Sequence, residues 1–207
     1  MEVTESITLF PLEIVLLPGE MVPLHIFEER YKGLISRLRT RGGEFGVVLA
    51  EQNQIHEAGC SAVLTGVVGE YEDGRLDVLI EGQRRFRIAE LRLPDDPESQ
   101  CLEADVTFIE DQEHGSQDVR QATLRAFSEL LRAMGVERPQ VTGGGVPLSF
   151  RLAATLDFGI EAKQALLESL SESERLAQLA AVAKTLLPRV KAQRKRSEAI
   201  RGDGKGM

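Results

Sequence analysis

From Leu9 to Arg37 the chain reads LFPLEIVLLPGEMVPLHIFEERYKGLISR, an apolar run broken by prolines that turns into a helical period. Pro11, Pro18 and Pro23 each remove a backbone donor and fix φ, so one regular ladder cannot run through the stretch. Leu9, Leu12, Val15, Leu17, Met21, Leu24, Ile26 and Phe27 are too apolar for a solvated loop. The pattern predicts a buried, kinked double strand, a hairpin-like opening unit, that feeds a helix from Glu28 to Arg41. Leu34, Ile35 and Leu38 recur there at helical spacing, acidic residues lead, arginines close, and Gly42-Gly43 stops the element.

Period-2 and β-branched runs follow. Residues 44–50 and 61–68 read as strands joined by a polar connection holding His56 and Cys60, with Gly46, Gly66 and Gly69 placed for bulges or sharp bends. Asp73-Gly74 is a strong hairpin signal, and Leu76, Val78 and Ile80 alternate beyond it. In 82–88, Phe86 and Ile88 point one way while Arg85 and Arg87 point the other, an arrangement that reads as a solvated face paired with acidic neighbours. Pro94–Pro97 marks a loop, and 104–109 is a last strand.

From Gln117 the period becomes helical through Leu130 and Leu131, ending at Gly135. Residues 138–145 are a glycine-rich loop, and a third helix opens at Pro147 and Ser149 and breaks near Gly159. A fourth runs from Glu161 to Leu170, after which Ser171-Glu172-Ser173-Glu174 is a capping box for a fifth. That helix carries one apolar stripe through Leu176, Leu179, Val182, Ala183, Leu186 and Leu187, which Pro188 should kink or end. The expected architecture is α+β: a small, curved, barrel-like and mostly antiparallel β domain with one helix over residues 1–115, a helical bundle over 116–190, and a basic tail over 191–207, flexible or helical.

Charge and candidate chemistry narrow the function. The net charge is −8, yet Lys184 to Met207 carries eight basic against two acidic residues, leaving −14 on residues 1–183. An acidic body repels phosphate backbones, which weighs against nucleic acid as a partner. Cys60 and Cys101 form no CxxC pair and His25, His56 and His114 are scattered, so neither a metal site nor a disulfide framework is expected. The amino terminus lacks a signal-peptide pattern and no window is apolar enough for a membrane helix, so the expectation is a cytoplasmic protein.

Several segments together resemble the amino-terminal domain of the ATP-dependent Lon protease family, in particular its stand-alone bacterial members. They are Leu9-Phe10-Pro11-Leu12, Leu16-Leu17-Pro18-Gly19, Val22-Pro23-Leu24, Ile26-Phe27-Glu28 with Arg30-Tyr31, Phe45 to Val48, Gly59 to Ala62, Glu81-Gly82, Arg85 to Ile88, Lys163-Gln164, Leu166 to Glu168, and Arg175-Leu176. The resemblance implies a PUA-like β domain followed by helices, and a role in substrate recognition. The sequence holds no GxxxxGK[ST] to cradle ATP phosphates and marks no Ser–Lys pair as nucleophile and base, so no catalytic residue, cofactor or metal is expected.

The expected function is therefore a non-catalytic module that binds unfolded or apolar polypeptide segments, with a protease or chaperone as a further partner and a homodimer open. Leu16, Pro18, Met21, Leu24 and Phe27 are the candidate binding residues, because proline-broken strands leave an edge to which an extended peptide can add. The alternatives are an ATP-independent peptidase or other small enzyme, and an RNA-binding PUA-like module prompted by Lys191, Arg194, Lys195, Arg196 and Arg201.

Overall fold

The computed structural model describes residues 4–52, 54–94, 101–136, 145–156 and 159–203, with side chains through Arg196. The expected loops at 94–97 and 138–145 fall mostly outside these residues. Two compact units emerge, one of Met1–Glu110 with Asp157–Leu170 and the other of Asp111–Leu156 with Ser171–Met207.

The first unit is a sheet of six strands: β1 (Glu5–Leu12), β2 (Met21–Ile26), β3 (Phe45–Glu51), β4 (Gln54–Glu70), β5 (Leu76–Arg92) and β6 (Glu103–Phe108), with α1 (Glu29–Arg41) between β2 and β3. β1 pairs in parallel with β3 and antiparallel with β6, while β3–β4, β4–β5 and β5–β6 are antiparallel, so five strands close into a ring. Closure removes the exposed edges an open sheet would leave. β5 is long enough to serve two partners, β2 along Leu76–Glu81 and β6 along Phe86–Arg92.

The opening stretch is not a hairpin. β1 and β2 do not pair with each other: β1 enters the ring, and β2 lies beside β5 as an appended strand. The reason lies in the connection between them, where Gly19 N donates to Gly82 O and Gly82 N donates to Glu20 O. Val15, Leu16, Leu17 and Pro18 are buried, so this connection packs as core instead of forming a tight turn. Pro23 is tolerated in β2 because that strand is appended at the sheet's side.

His56 and Cys60 sit inside β4, not in a connection, since β4 runs unbroken for 17 residues. Its register slips against β5 at Cys60/Ala62, Leu64/Gly66 and Val67/Gly69, which places bulges immediately before Gly66 and Gly69. Gly46 serves a different need. A Cβ there would meet Leu9 Cδ2 and Phe86 Cζ at 2.8 Å, so the missing side chain makes room for the fully buried Phe86 ring. Phe86 joins Ile7, Leu9, Val48, Ala104 and Val106 in the barrel core.

Arg85 also departs from expectation: it is buried, and its Nη1 donates to Leu167 O at 2.8 Å and Ser169 O at 2.6 Å. These carbonyls close α4 (Ile160–Glu168), so the guanidinium caps a helix end that has no other cation in its last turn. Gln164 donating to Ala58 O and Lys163 paired with Glu20 hold the same helix to the barrel. Arg87 does lie on the solvated face, paired with Glu57.

The second unit contains α2 (Gln117–Met134), α3 (Leu148–Ala153) and α5 (Glu172–Asp203). Ser171 Oγ accepts from Glu174 N, the first half of the expected capping box. Pro188 does not end α5, which continues for fifteen residues beyond it. A buried network ties the start of α5 to α3, with Arg175 fully buried between Asp111 and Glu172.

Glu113 braces the same helix start. It accepts from Ser173 N, Gly115 N and the hydroxyls of Ser171 and Ser173. Those donors, the Ser173 amide foremost, hold its carboxyl down at about 2, against an ordinary value of 4.5. A depressed folded-state value means stability that is fully present above about 4.5 and is lost as pH falls through about 2. Urea midpoints measured from pH 6 downward should therefore show a wild-type advantage over Glu113→Gln that shrinks as the pH drops below 4.5. A gap that stays constant with pH would mean the carboxylate is not held this way.

Candidate functional site

β2 alternates cleanly. Val22, Leu24 and Ile26 face inward and are half-buried to buried, while Met21, Pro23 and His25 face solvent. Phe27, the next residue on that outward side, is 62% exposed and Met21 is 53% exposed. Exposed large side chains of this kind, on the same side of one strand, are more informative than any single one.

Below Phe27 lies a cleft of about 740 Å³, framed by the end of β1 from Phe10 to Glu13, by His25–Glu28, and by Tyr31 of α1. Phe10 and Tyr31 stack with ring centroids 3.9 Å apart, and Arg30 covers the Tyr31 ring at 4.6 Å. Burial pushes the Tyr31 hydroxyl above its ordinary range, so it stays neutral and can serve as donor. A second cleft of about 480 Å³ shares Pro11, Glu28 and Tyr31 with the first and adds Arg30, Leu93, Pro94, Cys101 and Leu102. Leu93 is 84% exposed at its rim. The joined surface is apolar in its walls with Glu13 and Glu28 at the edge, a form that takes an apolar side chain and tolerates an amide backbone.

On the outward face His25 Nδ1 lies 2.6 Å from Asp77 Oδ1, and the Tyr71 hydroxyl donates to Asp77 Oδ2 at 2.7 Å. The His25 ring stacks toward Phe27 at 6.3 Å and meets Tyr71 edge-on at 5.8 Å. The His25 and Tyr71 hydrogen bonds hold the Asp77 carboxyl below its usual range. The pair fixes the imidazole between two aromatic rings, which makes it part of a flat, π-rich surface.

The candidate residues thus separate. Met21 and Phe27 share the outward side of β2 but lie at its two ends, with Phe27 alone lining the cleft, and Leu24 lies on the opposite face of β2. Leu16, 1% exposed, and Pro18 are buried against β5 and present no surface. Phe10, Tyr31, His25 and Tyr71 were missed. The alternation from Met21 to Phe27 would have separated Leu24 from its neighbours and picked up His25, whereas Tyr71 arrives from the turn between β4 and β5, 46 residues after His25.

Among the described residues no three His, Cys, Asp or Glu side chains gather as metal ligands, and no helix is long and apolar enough to cross a membrane. Cys60 is buried in apolar surroundings that push its thiol far up, which leaves it a packing group.

Compared with known proteins, residues 6–183 match the profile of the ATP-dependent protease La (LON) substrate-binding domain. Among solved structures, the crystal structure of a Lon N-terminal domain protein from Xanthomonas campestris is 27% identical, with a TM-score of 0.65, covering 86% of this chain and 98% of its own. The N-terminal domain of the Lon protease from Mycobacterium avium complex is 18% identical with a TM-score of 0.66, covering 87% of this chain and 98% of its own, and shares the fold. No curated protein sequence is significantly similar to the chain.

Proposed function

The chain belongs to the family of the ATP-dependent protease La (LON) substrate-binding domain, and from that premise we propose that it is a non-catalytic module that binds exposed apolar segments of unfolded polypeptide. The observation that carries the reading is Phe27, 62% exposed on the rim of a cleft floored by the Phe10–Tyr31 stack, with Met21, 53% exposed, farther along the same outward side of β2. An apolar side chain of a bound segment enters the cleft, and the segment's neighbours lie against Met21, Phe27 and the His25–Tyr71 surface. Leu24 supports from the inner face of β2. Burying a largely exposed Phe or Met at an interface recovers about 1–2 kcal/mol each, enough to make Phe27 and Met21 anchors.

The test is titration of a permanently unfolded, carboxymethylated polypeptide, followed by anisotropy. Met21→Ser/Phe27→Ser should weaken binding by roughly 10- to 100-fold while leaving the urea midpoint near that of the parent, because neither side chain is in the core. Unchanged affinity in the variant would remove this face from consideration, and no binding by the parent would remove the function. Hydrolysis of casein at high protein concentration, absent from an Asp77→Asn variant, would overturn the non-catalytic reading in favour of a peptidase.

A further inference from the structure

β2 has one side without a partner. It pairs with β5 in an unbroken antiparallel register from Met21↔Glu81 to Ile26↔Leu76, and among the described residues no strand pairs with its other side. Two hydrogen bonds decide which backbone groups face that open side. Gly82 N donates to Glu20 O at 3.0 Å, one step beyond the Met21↔Glu81 end of the ladder, so Glu20 and Gly82 form a bonded pair. Bonded pairs recur at every second position of an antiparallel ladder, which makes Val22↔Ile80, Leu24↔Val78 and Ile26↔Leu76 the others. Leu79 agrees: its carbonyl accepts from Thr65 Oγ1 of β4 at 2.8 Å and so points away from β2. Met21, Pro23 and His25 therefore turn their backbone groups to the open side, Met21 and His25 with N–H and C=O and Pro23 with C=O alone.

An open edge is an ordinary end of a sheet, and Pro23 is the kind of residue that protects one. Two features go beyond protection. Proteins that only guard an edge charge it, commonly with lysine, whereas the outward side chains here are Met21, Pro23, His25 and then Phe27. The edge also runs into the cleft, since His25 and Ile26 both line it. A second copy of the chain is a poor occupant. Pairing β2 with itself brings two prolines, hence two missing donors, into one short ladder, whereas a foreign strand meets one.

We propose that the open edge of β2 takes an extended polypeptide segment as an added antiparallel strand, apolar at alternate positions and without acidic residues. This rests on the polypeptide-binding reading and says how the segment is held. Ligand residues opposite Met21 and His25 each exchange two backbone hydrogen bonds, and the one opposite Pro23 donates its N–H to the Pro23 carbonyl. Their side chains fall on the same side as those of Met21 and His25, where apolar ones cover the exposed Met21. Beyond His25 the segment meets the cleft at Phe27. Among the described residues that cleft is lined by Glu13 and Glu28 and by no Lys or Arg, and Asp77 and Glu81 of β5 stand in register with His25 and Met21, so an acidic segment is repelled. Backbone pairing reads no particular sequence, which suits a module whose ligands have in common only that they are unfolded.

The probe is a fluorescein-labelled peptide of about ten residues, alternating leucine and threonine with a terminal lysine, titrated into the full chain. Its leucines take the Met21 side, so methylating their backbone nitrogens should weaken binding by about 10-fold or more, while methylating the threonine nitrogens should change it by less than about threefold. On the protein, His25→Pro should bind the unmethylated peptide about 5- to 10-fold more weakly than His25→Ala at closely similar urea midpoints, because the missing N–H faces the ligand and not β5. Equal effects of the two methylation patterns, with the parent still binding carboxymethylated polypeptide, would overturn strand addition and leave the polypeptide-binding reading standing. Binding of neither probe by the parent would remove both. A parent dimer in sedimentation velocity that excess peptide does not dissociate and that His25→Pro abolishes would overturn the proposal by giving the edge to a second copy.

Discussion

Replacing Arg175 by Met should lower unfolding stability by about 3–5 kcal/mol, because it strands the buried carboxylate of Glu172 and the largely buried one of Asp111. The guanidinium is 0% exposed and bidentate on Asp111, with Nη1–Oδ1 at 2.8 Å and Nη2–Oδ2 at 2.5 Å. Nη2 also reaches Glu172 Oε2 at 2.8 Å, and Nε donates to Ser149 Oγ at 2.9 Å. The ring of Phe150 lies 4.5 Å from the guanidinium centre. Glu172, 2% exposed, in turn accepts from Ser149 N and Ser149 Oγ. Desolvation of the three charges costs several kcal/mol per ion, which the fixed geometry offsets only while all partners remain. Arg175→Met/Asp111→Asn/Glu172→Gln should consequently recover more than half of the loss, since the amides still accept hydrogen bonds and carry no charge. Urea unfolding of the three proteins checks this. A single-variant loss below about 1 kcal/mol would mean the network is solvated in practice.

Gly82→Ala should cost about 3 kcal/mol or more, the upper end of overpacking effects. A Cβ at that position falls 2.2 Å from Leu17 O and 3.0 Å from Leu17 C, both backbone atoms that cannot swing aside. Relieving the overlap means lifting the connection that holds Leu16, Leu17 and Pro18 in the core, together with the Gly19 and Gly82 backbone hydrogen bonds on either side. Gly66→Ala is the matched control, since open space surrounds that position and the loss there should stay below about 1 kcal/mol. Thermal midpoints that fall equally for both would show that flexibility, not contact, governs the effect at Gly82.

What the sequence made legible is whatever depends on neighbours along the chain. The helical period of 117–134, the Asp73-Gly74 hairpin and the capping serine at 171 are each decided within a few residues, and each is found in place. The pairing of β1 with β3 and β6 is decided by contacts up to a hundred residues apart, for which a proline-broken apolar run carries no signal. Arg85 illustrates the same limit. Alternation in 82–88 placed it opposite Phe86, but only the arrival of α4 from residues 160–168 decides whether that side is wet. At the candidate site Met21 and Phe27 were readable as apolar residues, and their exposure was not, because exposure depends on what β5 leaves uncovered.

The position of α4 in the chain has a consequence for how the protein is made. That helix belongs to the barrel's unit although the segments before and after it, α3 and α5, belong to the other. A ribosome adding residues in order will release all six strands by Phe108, before Leu167 and Ser169, whose carbonyls accept from Arg85, are synthesised, so the side of the barrel that α4 covers is still open at that point. Only when Ser169 has emerged can both of those hydrogen bonds form, and by then the helices that flank α4 in sequence are already under way. The barrel is thus committed late, as a joint product of early and late chain, and a nascent polypeptide stalled between about residues 110 and 165 would expose a half-finished core to the chaperones and proteases that patrol the exit tunnel.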